Sequence, residues 1–252
     1  MGIPPFDWWR TVFFLIPSIA VYTIVLGTLS VASSLYDSRG RFAHGCARLW
    51  SWLILATTGV AVHVYGLGRL DPGRTYVFVS NHQSIYDIPI VFSTLPYQVR
   101  IIAKQSLARF PFLGWHLSRT GHMLVDRSRP DRARIFRRWS DLVSEGLSLI
   151  VFPEGTRSMD GTVGRFKAGS VLLAMQVGLP IVPISIVNSR CVMRKGRMMT
   201  RPGHVDLVIH DVIETSGNRE TTVEEARELC ARIRETVASS VARRANLYAD
   251  HV

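Results

Sequence analysis

The chain has 252 residues, 47% of them hydrophobic, with 30 Lys and Arg against 19 Asp and Glu, a formal net charge of +11. That length bounds one catalytic domain, or a domain with an anchor, and is enough to bury a core. Such a charge seeks a polyanion, whether nucleic acid, an anionic lipid surface or a phosphorylated substrate, while three scattered cysteines without a C-x-x-C pair exclude a secreted disulfide framework and favour reduced, cytosol-facing chemistry.

Taken in chain order, the first feature is apolar. No charged residue occurs from Thr11 to Tyr36, and about 20 apolar residues cross a bilayer core as a helix. Trp8 and Trp9 suit the headgroup level just before it. The rival is a signal peptide with Arg10 as its basic start and Val31-Ala-Ser33 as its cleavage site, but the run exceeds the usual h-region of about 7–15 residues. A second apolar stretch, Leu49 to Gly66, is interrupted only by His63. We expect it to span the membrane or lie in the interface beside the first helix. The basic turn between them (Arg39, Arg41, His44, Arg48) satisfies the positive-inside tendency if it is cytoplasmic. Residues 1–66 are therefore expected to be an N-terminal two-helix membrane anchor, and 67–252 the catalytic domain.

After residue 66 the pattern alternates. Thr75–Ser80, Val99–Ala103, His122–Val125, Ser148–Phe152, Ile181–Val187 and Val205–His210 read as short apolar strands. Helical patterns lie at Ser84–Thr94, Phe112–Arg119, Asp131–Glu145 and Gly169–Val177, and a last one runs from Thr222 to Leu247. This alternation predicts an α/β fold with a mixed, partly parallel sheet covered by helices.

Two runs follow strands and carry chemistry. In Asn81-His-Gln-Ser-Ile-Tyr-Asp87, a histidine leaves a strand and a carboxylate comes five residues later. On one continuous helix, five residues lie about 140° apart and the two side chains would miss each other. If His82 sits in the loop and the helix starts near Ser84, Asp87 points back and holds the imidazole, as a general base and its orienter require. The same residues also make a capping-box pattern, Ser84-x-x-Asp87, in which Asp87 serves only the helix end. In the second run, Phe152-Pro-Glu-Gly-Thr-Arg-Ser158, Arg157 offers a planar fork of donors for phosphate and Gly155 permits close backbone approach. Glu154 is placed to hold that arginine or to meet an acceptor hydroxyl. The plain alternative is a turn with a surface ion pair.

Together these runs, in this order and about 70 residues apart, resemble the glycerolipid acyltransferases, specifically the 1-acylglycerol-3-phosphate acyltransferases. Gly121-His-Met-Leu-Val-Asp-Arg127 is similar to that family's second block, Arg165-Phe-Lys-Ala-Gly169 to its F-K-x-G stretch, and Ile181-Val-Pro-Ile184 to its fourth. The resemblance covers residues 75 to 190. One departure stands out: the family often carries K-x-E-L after its second strand, and Lys104-Gln-Ser-Leu107 keeps the lysine without the glutamate.

The resemblance implies acyl transfer from a thioester, acyl-CoA or acyl carrier protein, to the sn-2 hydroxyl of lysophosphatidic acid at an anionic phospholipid membrane. The site would face the cytoplasm and need neither cofactor nor metal. It implies His82 as general base and Asp87 as its orienter. Substrate binding falls to Glu154, Gly155, Thr156 and Arg157, with Arg157 on the acceptor phosphate and Lys104 and Arg127 converging on it. Without a G-x-S-x-G elbow or a cysteine near His82, transfer should be direct. The developing oxyanion needs donors, for which backbone N–H groups near Gly155 are candidates. Phe110–Trp115 is an aromatic stretch suited to acyl chains. Arg190, Arg194, Lys195, Arg197 and Arg201 form a basic segment suited to an anionic leaflet. Alternative acceptors within the family are glycerol-3-phosphate, other lysophospholipids and a lyso-ornithine lipid. A nucleic-acid-binding membrane protein is disfavoured because no recognised binding pattern is present. A phosphoester hydrolase is disfavoured because the chain has no Walker A run or metal cluster.

Overall fold

Helix α1 (Phe6–Ser33) is long and apolar enough to cross a membrane. In this computed structural model, which describes residues 5–37, 39–126, 132–218 and 220–249, α1 carries a single π-helical stretch at Thr11–Leu15. Phe13, Phe14, Val21, Ile24 and Val25 are exposed along it. Its other side packs against α2 (Arg41–Thr58), where the Tyr22 and Thr57 hydroxyls meet at 3.0 Å and Trp50 Nε1–H donates to Thr23 Oγ1 at 3.0 Å. The Arg10 guanidinium donates to the Thr57 and Thr58 carbonyls at 3.1 and 2.7 Å. A cation thus satisfies the orphan carbonyls where α2 ends.

Gly59 adopts the left-handed conformation (φ 78) and stops α2. The chain then enters strand β1 (Val60–Tyr65). The apolar stretch from Leu49 to Gly66, expected to span the membrane or lie in the interface as a helix, is instead part helix and part strand. The reason is local: Gly59 reverses the chain at little steric cost, and Val60, Val62 and Val64 prefer the pleated surface.

Six further strands complete the sheet: β2 (Val77–Ser80), β3 (Val99–Lys104), β4 (Met123–Val125), β5 (Ser148–Val151), β6 (Ile181–Val187) and β7 (Gly203–Ile209). The spatial order is β1-β7-β6-β2-β5-β3-β4. The pairs β6–β2, β2–β5, β5–β3 and β3–β4 are parallel, β6–β7 is antiparallel, and β1 runs parallel to β7. The expected mixed, partly parallel α/β architecture is what forms, preceded by the apolar helix. The longer helices that follow are α3 (Asp87–Thr94), α4 (Leu113–Arg119), α5 (Arg132–Ser144), α6 (Gly169–Val177) and α7 (Val223–Ala249).

Two apolar layers flank the sheet. On one face Phe78, Val99, Ile150, Ile184 and Leu207 pack under α2 and α3 through Ile54, Leu55, Ile90 and Val91. On the other, Val77, Val79, Leu149 and Ile181 pack under α5, α6 and α7 through Trp139, Val171, Ile233 and Val237. Burial on both faces explains why these strands are continuous apolar runs rather than alternating ones. The carboxyl ends of the parallel strands gather at one edge, where open α/β sheets hold their ligands.

Candidate active site

At that edge β2 hands over to Asn81. Its side-chain amide donates to the Ile186 carbonyl and accepts from the Ile186 N–H, both at 2.8 Å. The loop after β2 is thereby pinned to β6, and His82 projects from a fixed backbone. Asp87 is the first residue of α3 and turns back. Its Oδ2 accepts from His82 Nδ1 at 2.7 Å, from the Gln83 N–H at 2.7 Å and from the Ser84 N–H at 2.9 Å. An ionised carboxylate only accepts, so chemistry assigns the proton to Nδ1 and leaves the Nε2 lone pair outward. The Asp87 side chain is wholly buried while that of His82 is 19% exposed. The imidazole stacks on Phe152 with ring centroids 4.3 Å apart.

The capping pattern is half realised. Asp87 reaches back to the Ser84 N–H, but the Ser84 hydroxyl donates to the Met193 carbonyl at 2.8 Å and accepts the Tyr86 N–H at 3.3 Å. One carboxylate oxygen therefore both closes the helix start and holds the histidine.

The second run meets the first through backbone. Glu154 Oε1 accepts the His82 N–H at 2.8 Å, Glu154 Oε2 accepts the Gly164 N–H at 3.0 Å, and the Ser158 N–H donates to the His82 carbonyl at 2.8 Å. Glu154 is thus a brace between the two runs, and both its oxygens are spent on backbone donors rather than on Arg157. Burial pushes its carboxyl above the usual glutamate range, against the pull of those two N–H groups. Gly155 is left-handed (φ 72) and a Cβ there would lie 3.3 Å from Lys167 Nζ. Its own N–H, a candidate oxyanion donor by sequence, donates to the Phe152 carbonyl at 3.0 Å.

Beyond the glycine, Thr156 and Arg157 receive a cation that sequence reasoning placed elsewhere. Lys195 Nζ donates to Thr156 Oγ1 at 2.8 Å and to the Arg157 carbonyl at 2.9 Å. Arg157 is half-buried, and among the described residues its guanidinium has no hydrogen-bond partner. Lys104 stands exposed at the carboxyl end of β3, the parallel neighbour of β5. Arg127 lies outside the described residues. The structure thus brings together His82, Asp87, Glu154, Gly155, Thr156 and, unexpectedly, Lys195, whose contacts span 38 and 39 positions and leave no signal in local sequence.

Next to this site an apolar cavity of about 200 Å³ opens between the N-terminal helices and the sheet, lined among others by Leu26, Trp50, Ile85, Ile88, Leu113 and Leu117. A histidine with Nδ1 on a buried carboxylate can take a proton at Nε2 and be stabilised as imidazolium. An unpaired arginine beside it can hold an anion.

Comparison with known proteins identifies the family. The family model described as Acyltransferase matches residues 61–187. A 1-acyl-sn-glycerol-3-phosphate acyltransferase of Pseudomonas aeruginosa is 30% identical over 237 residues, 91% of this chain and 90% of that protein. One from Chlamydomonas reinhardtii is 33% identical over 82% of this chain, which spans 60% of that relative's length. The crystal structure of the 1-acyl-sn-glycerophosphate acyltransferase PlsC from Thermotoga maritima superposes with a TM-score of 0.79 at 26% identity, covering 93% of this chain and 95% of that one.

Proposed function

The chain belongs to the acyltransferase family, and from that premise we propose that it transfers a fatty acyl group from an acyl thioester to the sn-2 hydroxyl of 1-acylglycerol-3-phosphate, giving phosphatidic acid. The observation that carries this is the 2.7 Å contact of His82 Nδ1 with buried Asp87, set beside the Arg157 turn by the Glu154 brace. His82 Nε2 accepts the hydroxyl proton as the oxygen attacks the thioester carbonyl. The C–O bond forms, the C–S bond breaks, and the imidazolium returns its proton to the departing thiolate. A general base of this kind contributes about 10²–10⁴-fold. Asp87 orients the ring and balances its charge.

Arg157 binds the acceptor phosphate, with Lys104 and Arg127 as further cations. Glu154, Gly155 and Thr156 shape the turn that presents it. The apolar cavity takes an acyl chain. Helix α1 anchors the catalytic domain, whose sheet includes β1 from Val60 onward, with its site on the cytoplasmic side of an anionic membrane. The donor is acyl-CoA or acyl carrier protein, and no cofactor takes part.

An acceptor panel tests this: purified full chain, labelled acyl thioester, and lysophosphatidic acid against glycerol-3-phosphate, other lysophospholipids and lyso-ornithine lipid. Labelled phosphatidic acid from lysophosphatidic acid, lost in His82→Ala, is the expected result. Preference for an acceptor without phosphate would overturn the assignment of Arg157, and full activity of His82→Ala would overturn the mechanism.

A further inference from the structure

Between β6 and β7 the chain makes a single helical turn, Ser189–Val192, and then a long excursion back to Gly203. Val187 pairs with Asp206 and Val60 with Gly203, so this excursion lies at the same end of the sheet as His82. It encloses, with the C-terminal end of α7, a groove of about 640 Å³ whose lining includes Arg194, Arg197, Arg201, His204 and Tyr248 and, among the described residues, no acidic side chain. Arg194 and Arg197 sit on one turn, closed by the Arg197 N–H to the Arg194 carbonyl at 3.2 Å. Among the described residues neither guanidinium has a carboxylate partner. All three arginines are exposed along the groove, so the Arg194 and Arg197 charges stand open to an anion.

The surroundings identify the source of that anion. Arg201 Nε pairs with Asp7 at 3.3 Å, and the Thr200 N–H donates to Thr11 Oγ1 at 2.9 Å. These bonds fix the rim of the groove to the first turns of α1, next to Trp8 and Trp9, residue types that settle at headgroup depth. Met198, between the arginines, is 59% exposed, as an apolar contact with a bilayer requires. The groove is therefore held where lipid phosphates lie.

We propose that the Arg194–Arg197–Arg201 groove is a binding site for the phosphate headgroup of an anionic bilayer phospholipid that is neither donor nor acceptor of the reaction. It rests on the membrane placement proposed above. Arginine forks take two phosphate oxygens at once. Occupied, the site seats the excursion from which Lys195 reaches the Arg157 turn.

The test uses the full chain in neutral detergent, titrated with short-chain phosphatidylglycerol, phosphatidylcholine or coenzyme A and read by thermal unfolding, so that no turnover is needed. We expect phosphatidylglycerol to stabilise the chain and phosphatidylcholine not to. In the double variant Arg194→Ala/Arg197→Ala, phosphatidylglycerol affinity should fall about 30-fold, from about 5-fold per arginine at ~1 kcal/mol each. Arg227→Ala/Arg232→Ala removes the same charge from α7 at least about 20 Å along the helix from the groove, by 1.5 Å rise per residue, and should leave that affinity intact. Equal loss in both double variants, or none in the first, overturns the proposal. Loss of coenzyme A affinity with phosphatidylglycerol affinity retained also overturns it, and assigns the groove to the nucleotide end of the donor. An inactive chain that still binds phosphatidylglycerol here would refute the proposed reaction and not the site.

Discussion

Replacing Asp87 by Asn tests the centre of the site with almost no change in shape. The carboxylate oxygen Oδ2 accepts three hydrogen bonds, from His82 Nδ1, Gln83 N and Ser84 N. Three donors converge there, so the amide oxygen of Asn should take that place and the amide nitrogen the place of Oδ1, which is buried without a partner. Each bond then changes from charge-assisted to neutral, a loss of about 1 kcal/mol apiece. The buried amide N–H₂ adds about 1–3 kcal/mol of unmet hydrogen bonding. Relief from burying a charge offsets part of this. The net loss should be about 2–4 kcal/mol, or roughly 5–15 °C in Tm for a chain of this size. The Nδ1 proton stays in place, so the tautomer is kept and what disappears is the charge facing the imidazolium. That charge acts only once the proton has moved. We therefore expect kcat to fall about 10²–10⁴-fold with little change in either KM. Initial rates of labelled acyl transfer at saturating donor, measured well below the variant's Tm, decide the matter. A kcat near that of the wild type, or a loss confined to KM, would refute the pairing as the source of basicity.

Arg157→Ala should raise KM for lysophosphatidic acid about 10- to 150-fold, the equivalent of about 1.5–3 kcal/mol for a charge-assisted bond, while KM for the acyl donor stays put in two-substrate kinetics. Lys195→Met removes both donors to the Thr156–Arg157 turn and keeps the alkyl chain; it should raise the same KM several-fold and speed amide hydrogen exchange across residues 155–158, whereas unchanged exchange would free Lys195 of any hold on the turn. Acid stability should follow the histidines behind the apolar cavity. Burial, with the Arg100 charge second, lowers His116 to about 4, and burial lowers His122 well below its ordinary value. Both are neutral in the folded chain and charge more readily when unfolded, so the stability they provide is complete above about pH 6.5 and is lost as pH falls towards 4. Urea unfolding between pH 7 and 4.5 should show this, and His116→Phe should reduce the slope by up to about 1.4 kcal/mol per pH unit.

Much of this was legible before the structure because it is local. The strand before His82, the turn back at Asp87 and the strand before Glu154 each declare themselves within ten residues, and the helix Gly169–Val177 falls within the bounds its periodicity gives. What escaped is non-local or made by backbone. Strand β1 looked like more membrane helix because apolar residues run through Gly59 without a break, and only the left-handed turn there divides them. Glu154 suggested a partner for Arg157, since sequence displays side chains, yet its partners are the N–H groups of His82 and Gly164. Lys195 read as one more cation for the membrane because nothing nearby announces Thr156.

Strand β1 also sets an order of events during synthesis. Among the described residues its one ladder partner is β7, and Val60 pairs with Gly203, about 140 residues later. At about 5–20 residues per second, the ribosome takes roughly 7–30 s to make that stretch. Throughout that interval β1 presents an unpaired edge open to wrong partners, while on the membrane placement proposed above α1 is already available to the bilayer. The apolar helix is thus made first and the sheet is closed last. A nascent chain halted before residue 203 would have its sheet unsealed at β1.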